Sequence, residues 1–222
     1  MAEVNALQPK RIVIIANGDL ENPKFYRELL CEDDYIICAD GGSRHARTLG
    51  LTPDLIIGDL DSVDPLALPK AADLKPEVIS YPAEKDYSDL ELAVGHAVKL
   101  KPQEILIIGA LGGSRVDHSL FNLMLLILPL EAGIPARIID HRQELVLIED
   151  DITVECLPGS YVSLFPITAE VDGVTTEGLR YPLQKELLQH GSSRGLSNEL
   201  IGDRGRVSIS RGILLVIVTS KT

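Results

Sequence analysis

Between Pro53 and Pro65 the chain reads PDLIIGDLDSVDP, which sets three carboxylates, Asp59, Asp61 and Asp64, behind the short apolar run of Leu55, Ile56 and Ile57. In an extended chain alternate side chains share a side, so Asp59 and Asp61 can point together while Leu60 turns back into the protein. Like charges that close repel, and a hard cation offsets them. Magnesium takes one or two carboxylates, keeps several waters and completes its shell with substrate phosphates. The pattern therefore suits a Mg2+-phosphate site; without an ion it suits a solvated acidic turn.

Four further segments carry polar groups just after apolar runs. ANGD, with Asn17 and Gly18, and ADGGSRHA, with Asp40, Gly41 and Gly42, place glycines where a phosphate or a base can approach backbone amides, although glycine also serves plain tight turns. In EKDYSDLELA a helix starting near Ser88 would bring Asp86 and Asp89 to neighbouring faces of its first turn, with Asp89 beside the metal pair. Those acids also suit the helix dipole. Lys85 could neutralise a bound phosphate or stay solvated. In GALGGSRVDHSLFNL, Gly112 and Gly113 precede Arg115 and Asp117, a guanidinium for phosphate and a carboxylate for a second ligand at one strand end. His118 has no identifiable partner there and reads as a first-turn residue.

The elements that must position these groups follow two rhythms. From Arg11 to about Asp140, the runs RIVIIA, YIICAD, DLIIG, EVIS, EILIIGA and ARIID alternate with stretches of helical length. Near-continuous apolar strands are buried on both faces, which predicts a mainly parallel sheet flanked by helices with its ligand at the carboxyl ends of the strands. After His141 come ELVLIE, ITVECL, YVSLFPI, RVSIS and GILLVIVT, short strands between turn residues, as in an all-β sandwich. YPLQKELLQHG interrupts them as one or two expected turns of helix closed by Gly191.

Composition narrows the function. The 222 residues are 45% hydrophobic and 24% charged, a globular balance, and the net charge of -12 argues against a nucleic-acid partner, which needs clustered Lys and Arg. The three cysteines, Cys31, Cys38 and Cys156, are odd in number and widely spaced, so reduced thiols in a cytoplasm are expected. The N-terminal apolar run is too short for a signal peptide, and LFNLMLLILPL, broken by Asn122 and Pro129, is too short to span a bilayer. No membrane role is expected.

Taken in order, ADGGS, PDLIIGDLDSV, EKDYSDLELA, GALGGSRVDHSLFNL, TEGLRYPL, SSRGLSNEL and GILLVIVTS closely resemble the thiamine pyrophosphokinase family in its bacterial form. The resemblance spans nearly the whole chain. It implies transfer of a pyrophosphoryl group from ATP to the hydroxyl of thiamine, giving thiamine diphosphate and AMP, with Mg2+ as cofactor. It implies an α/β domain over residues 1–141 for nucleotide and Mg2+, a β-sandwich over 142–222 for thiamine, and a homodimer with sites formed between subunits. Carried over by position, Asp59, Asp61 and Asp89 match the metal ligands, with Asp40 in support. Arg115 and Asp117 match contacts beside the reacting phosphates, and Ser197 and Asn198 match the segment that receives thiamine from the neighbouring subunit. Two positions depart from animal and fungal relatives. Those place a Trp on the pyrimidine, whereas this chain has no Trp, leaving Tyr181 and Arg194 as the groups that could cover a ring; and Lys85 stands where they have Gln.

Two other readings compete. LIIGDLDSV also resembles the motif of haloacid-dehalogenase-type phosphatases, whose first Asp is a nucleophile, but there it ends the first strand, and here two βα units precede it. A non-catalytic nucleotide or thiamine sensor would keep the pocket, yet it would have no need of the full acidic set.

Overall fold

The structure is a computed structural model describing residues 9–59 and 76–221. It divides into two compact units, the first ending at His141 and the second beginning at Arg142.

In the first unit the strands are β1 (Arg11–Ile15), β2 (Tyr35–Ala39), β3 (Leu55–Gly58), β4 (Glu77–Ser80), β5 (Glu104–Ile108) and β6 (Ala136–Ile139), and the helices are α1 (Pro23–Leu29), α2 (Gly42–Leu49), α3 (Asp89–Leu100), α4 (Val116–Met124) and α5 (Ile127–Glu131). All six strands are parallel, in the order β6-β5-β1-β2-β3-β4. Ile12, Val13, Ile14 and Ile15 of β1 are fully buried, as are Ile105, Leu106, Ile107 and Ile108 of β5, because both faces of the sheet are covered. Burial of each such side chain stabilises the unit by about 1.5–3 kcal/mol, so Leu106→Ala at this centre would cost about 2–5 kcal/mol. α2 lays Ala46 and Leu49 on the core and stops at Gly50, whose left-handed backbone (φ 77°) lets its N–H reach the carbonyls of Ala46 and Arg47. α3 is the longest helix described. Its N-cap is Ser88, whose hydroxyl accepts the N–H of Glu91 at 3.1 Å, as a Ser-x-x-Glu start demands.

The second unit holds β7 (Gln143–Ile148), β8 (Asp151–Glu155), β9 (Tyr161–Pro166), β10 (Glu170–Glu177), β11 (Glu186–Gln189), β12 (Asn198–Glu199), β13 (Arg204–Ser208) and β14 (Leu214–Thr219). They form two antiparallel layers, β12-β9-β14-β7 and β11-β10-β13-β8, with Val162, Leu164, Val174, Val207 and Val216 in the core of this unit. Alternation along β9 follows the pleat: Val162, Leu164 and Pro166 are buried and their neighbours are not.

One expectation is overturned. Within YPLQKELLQHG no helix forms; Glu186–Gln189 is a strand paired antiparallel with β10. Leu188 goes inward and Leu187 outward, and the ladder to β10 outweighs the local helical preference of Glu, Leu and Lys. No helix among the described residues is long and apolar enough to cross a membrane.

Candidate active site

The strand order reverses between β1 and β5, and a crevice opens there at the carboxyl ends, where doubly wound sheets take ligands. It is a cleft of 460 Å³ lined by strand-end loops and by the starts of α3 and α4.

Its acidic wall comes from three elements. Asp40 follows β2 with a left-handed backbone (φ 41°), its N–H donating to the Ile57 carbonyl at 2.8 Å, which carries the ladder one residue past the strand. Asp59 follows β3, and Asp89 opens α3. One carboxylate oxygen from each lies within 4.8 Å of the others. Gly58 makes the approach possible: a Cβ there would stand 2.8 Å from Asp40 Cβ and 3.2 Å from Asp89 Oδ1. Asp40 is only 8% exposed, so water screens the mutual repulsion poorly and nearby positive charge is favoured. Lys85 supplies a single positive charge, its Nζ 2.8 Å from Asp89 Oδ1 and 3.9 Å from Asp59 Oδ2. Burial works against the ammonium, but its ion pair with Asp89 and the fields of Asp59 and Asp40 outweigh it and hold its pKa above the ordinary value. Three oxygen donors converging on one point suit a hard divalent ion. Asp61 and Asp64 lie outside the described residues.

Across the cleft, the loop after β1 is fixed by its neighbours. Asn17 accepts from Arg44 Nη2 at 3.1 Å, and the Gly18 carbonyl lies 2.8 Å from His45 Nε2. A Cβ on Gly41 would sit 2.6 Å from the Asn17 side-chain amide and force it to shift, and Gly42 must lack a side chain because a Cβ would sit 2.0 Å from the Ile15 carbonyl oxygen. The loop after β5 brings Gly112 and Gly113 to the cleft, followed by Arg115 at the N-cap of α4. Arg115 pairs bidentately with Asp117, Nε to Oδ1 at 3.2 Å, and this bond holds the Asp117 carboxyl below its usual range. Both side chains are well exposed, so the guanidinium can exchange this partner for a phosphate.

The structure therefore gathers Asn17, Gly18, Asp40, Asp59, Lys85, Asp89, Gly112, Gly113 and Arg115 around one cleft. Asp86 is exposed and, like Asp117, does not line it. Asp19, Arg44, His45, Tyr87, Ser119 and Asn122 were not singled out from the sequence, yet each braces or lines this cleft.

In the second unit Ser197 adopts a left-handed backbone (φ 55°) and its N–H donates to Ser163 Oγ at 3.0 Å. The Asn198 side chain is buried and engaged. Its Oδ1 accepts the Tyr181 N–H at 3.0 Å and the Glu199 N–H at 2.9 Å, while Nδ2 donates to the Tyr181 carbonyl at 2.7 Å. Asn198 thus fixes the backbone beneath the exposed Tyr181 ring. Arg194 is bound bidentately by Glu186 at 2.9 and 2.8 Å.

Comparison with known proteins decides the family. The profile described as "Thiamin pyrophosphokinase, catalytic domain" matches residues 26–138, and that described as "Thiamin pyrophosphokinase, vitamin B1 binding domain" matches residues 147–214. The chain belongs to the thiamine pyrophosphokinase family. Thiamine pyrophosphokinase of Bacillus subtilis is 34% identical over 184 residues, covering 82% of this chain and 85% of the relative. The solved structure of thiamine pyrophosphokinase from Bacillus subtilis superposes with a TM-score of 0.84 at 32% identity, covering 96% of this chain and 100% of that one. The enzyme structure from Geobacillus thermodenitrificans gives 0.80 at 33% identity, over 96% and 98%. These thiamine pyrophosphokinase matches lend no support to a phosphatase or to a non-catalytic sensor.

Proposed function

We propose that the protein transfers the β,γ-pyrophosphoryl group of ATP to the hydroxyl of thiamine, releasing AMP. The observation that carries this reading is the convergence of Asp40, Asp59 and Asp89 at the strand-reversal crevice of a thiamine pyrophosphokinase-family chain. Asp59 and Asp89, with Asp61 as the third ligand and Asp40 in support, would hold Mg2+. When bound, that ion neutralises charge on the phosphates and on the leaving group.

The chain's own groups do the positioning. Gly18, Gly112 and Gly113 line the cleft and, lacking side chains, leave room there for phosphate oxygens, while Gly41 and Gly42 let the start of α2 pack closely against Asn17 and Ile15 behind it. Asn17 completes the nucleotide contacts within the cleft, Asp117 acts through the Arg115 side chain that it holds, and Asp86 does not line the cleft. Lys85 and Arg115 both line the cleft and bring positive charge to it, where charge on the transferring group develops. Such transfer needs little covalent help: in-line placement of the thiamine hydroxyl on the β-phosphorus and charge neutralisation account for most of the rate. Asp89, pinned by Lys85, acts as a ligand rather than as the base.

Thiamine is received by the sandwich of a partner chain in a homodimer. Ser197 presents the segment and Asn198 steadies Tyr181, which offers its exposed ring face in a chain without Trp. Arg194, held by Glu186, serves that segment structurally. The free thiols Cys31, Cys38 and Cys156 support a cytoplasmic location.

The test is AMP release measured by a coupled assay with thiamine, without thiamine, and with EDTA. AMP should appear only with thiamine and a divalent ion; thiamine-independent release would refute the reading.

A further inference from the structure

We propose that Asp19 is a positioning residue for the transfer reaction, bracing the glycine loop after β5 so that Arg115 is held at the cleft. The proposal rests on the reading of the cleft given above.

Apart from its pair with Asp117 on the same helix, Arg115 has little else to hold it. It stands at the N-cap of α4 with no side-chain cap bond, and α4 buries none of its residues: Val116 is 79% exposed, Leu120 63% and Phe121 48%. Packing therefore does not set where this helix begins. The loop ahead of it contains Gly109, Gly112 and Gly113, all in the left-handed region at φ 65°, 80° and 77°. Glycines in that region restrain the chain weakly, so the loop depends on explicit bonds. Two come from α4 itself, Ser119 Oγ to the Gly112 carbonyl at 3.2 Å and Asn122 Nδ2 to the Ala110 carbonyl at 2.8 Å. These tie the loop to the helix and would move with it.

The bonds that tie the loop to the sheet come from the end of β1. Gly18 N–H donates to the Gly109 carbonyl at 2.6 Å, and Asp19 N–H to the Leu111 carbonyl at 3.0 Å. Asp19 Oδ2 then accepts the N–H of Gly113 at 2.6 Å, two residues before Arg115. Asp19 thus grips the loop at two points, and its side chain holds the one nearer the guanidinium. Gly112 is shaped to this contact, because a Cβ there would lie 2.5 Å from Asp19 Oδ2. The β1 end is itself anchored to α2 through His45 and the Gly18 carbonyl, 2.8 Å apart. A chain of contacts therefore runs from α2 through Asp19 to Arg115. A shift of about 1 Å in a positioned group can cost on the order of 100-fold in rate.

The experiment combines amide hydrogen exchange with AMP-release kinetics on Asp19→Ala, Asp19→Asn, Arg115→Ala and the double variant Asp19→Ala/Arg115→Ala. Asp19→Ala should speed exchange in residues 109–115 and lower kcat/KM by about 10- to 100-fold. Asp19→Asn keeps an oxygen for the Gly113 N–H and should stay within about threefold of the unaltered protein in both readouts. In the Arg115→Ala background, Asp19→Ala should cost less than about threefold, since residues acting as a unit are not additive. Unchanged exchange in Asp19→Ala, equal damage from Asp19→Asn, or full additivity with Arg115→Ala would each overturn the proposal. Asp19→Ser is a second truncation if Asp19→Ala does not fold. Exchange reads the brace even if the unaltered protein makes no AMP, so failure of the transfer reading and failure of this one remain distinct.

Discussion

Lys85 Nζ stands 2.8 Å from Asp89 Oδ1 and 3.9 Å from Asp59 Oδ2, with the lysine side chain 12% exposed. The ammonium is a positive charge that helps these carboxylates share a site. Lys85→Met should therefore destabilise the metal-free protein by about 1 kcal/mol, the upper end for a solvent-accessible ion pair. Added Mg2+ should recover much of that loss, and kcat should fall about tenfold as a charge near the phosphates disappears. Melting curves in EDTA and in Mg2+ check the first two statements. Because the folded-state pKa of Lys85 is raised, the pair's contribution is fully present at neutral pH and is lost only as pH rises through that raised value.

Asp59→Asn, Asp61→Asn and Asp89→Asn should each lower kcat by about a hundredfold or more, through lost charge stabilisation at the transferring phosphate. The metal-free melting temperature of Asp59→Asn should hold or rise slightly, since one repelling carboxylate is gone. Full activity in any of the three would remove that residue from the metal site.

A mixed dimer tests the proposed sharing of the site between two chains. Because Asn198 is engaged with the Tyr181 backbone, its removal would disturb the fold, so Tyr181→Ala with Ser197→Ala is the better lesion. Neither that variant nor Asp59→Asn should have appreciable activity alone. Equal mixing after subunit exchange should restore about a quarter of normal activity, because half the dimers are mixed and each has one intact site. No recovery would place the whole site in one chain.

Cys38 is fully buried, and burial together with the nearby Asp54 charge pushes its thiol pKa up, whereas Cys31 is exposed. Iodoacetamide at pH 8 should label Cys31 in the native protein and Cys38 only after unfolding, as peptide mass spectrometry would read. Prompt labelling of Cys38 would contradict its place in the core of the first unit.

The parallel strands were legible because burial on both faces leaves an almost unbroken apolar run, as in Ile12 to Ile15 and Ile105 to Ile108. The start of α3 was legible from Ser88 and Glu91. β10 was missed because Asp172 and Gly173 interrupt its alternation, and the ladder shifts register between Val171 and Val174 at that point. β11 was misread as helix because its pairing to β10 leaves no trace in its own residues. From charge alone Lys85 reads as a phosphate neutraliser or a solvated lysine rather than as the partner of Asp89, and Asp19 beside a glycine reads as an ordinary turn. Its partner, Gly113, is 94 residues away in sequence, and only the adjacency of β1 and β5 brings them together. The structural role of Asn198 was hidden for the same reason: Tyr181 is 17 residues away and offers backbone rather than a recognisable side chain.

The most direct measurement follows ATP labelled at the β-phosphorus during turnover with thiamine and Mg2+. Transfer of the β,γ-pyrophosphoryl group predicts that the label enters thiamine diphosphate, with AMP formed one for one and no ADP. Accumulation of ADP with thiamine monophosphate, or release of labelled phosphate without thiamine, would contradict it.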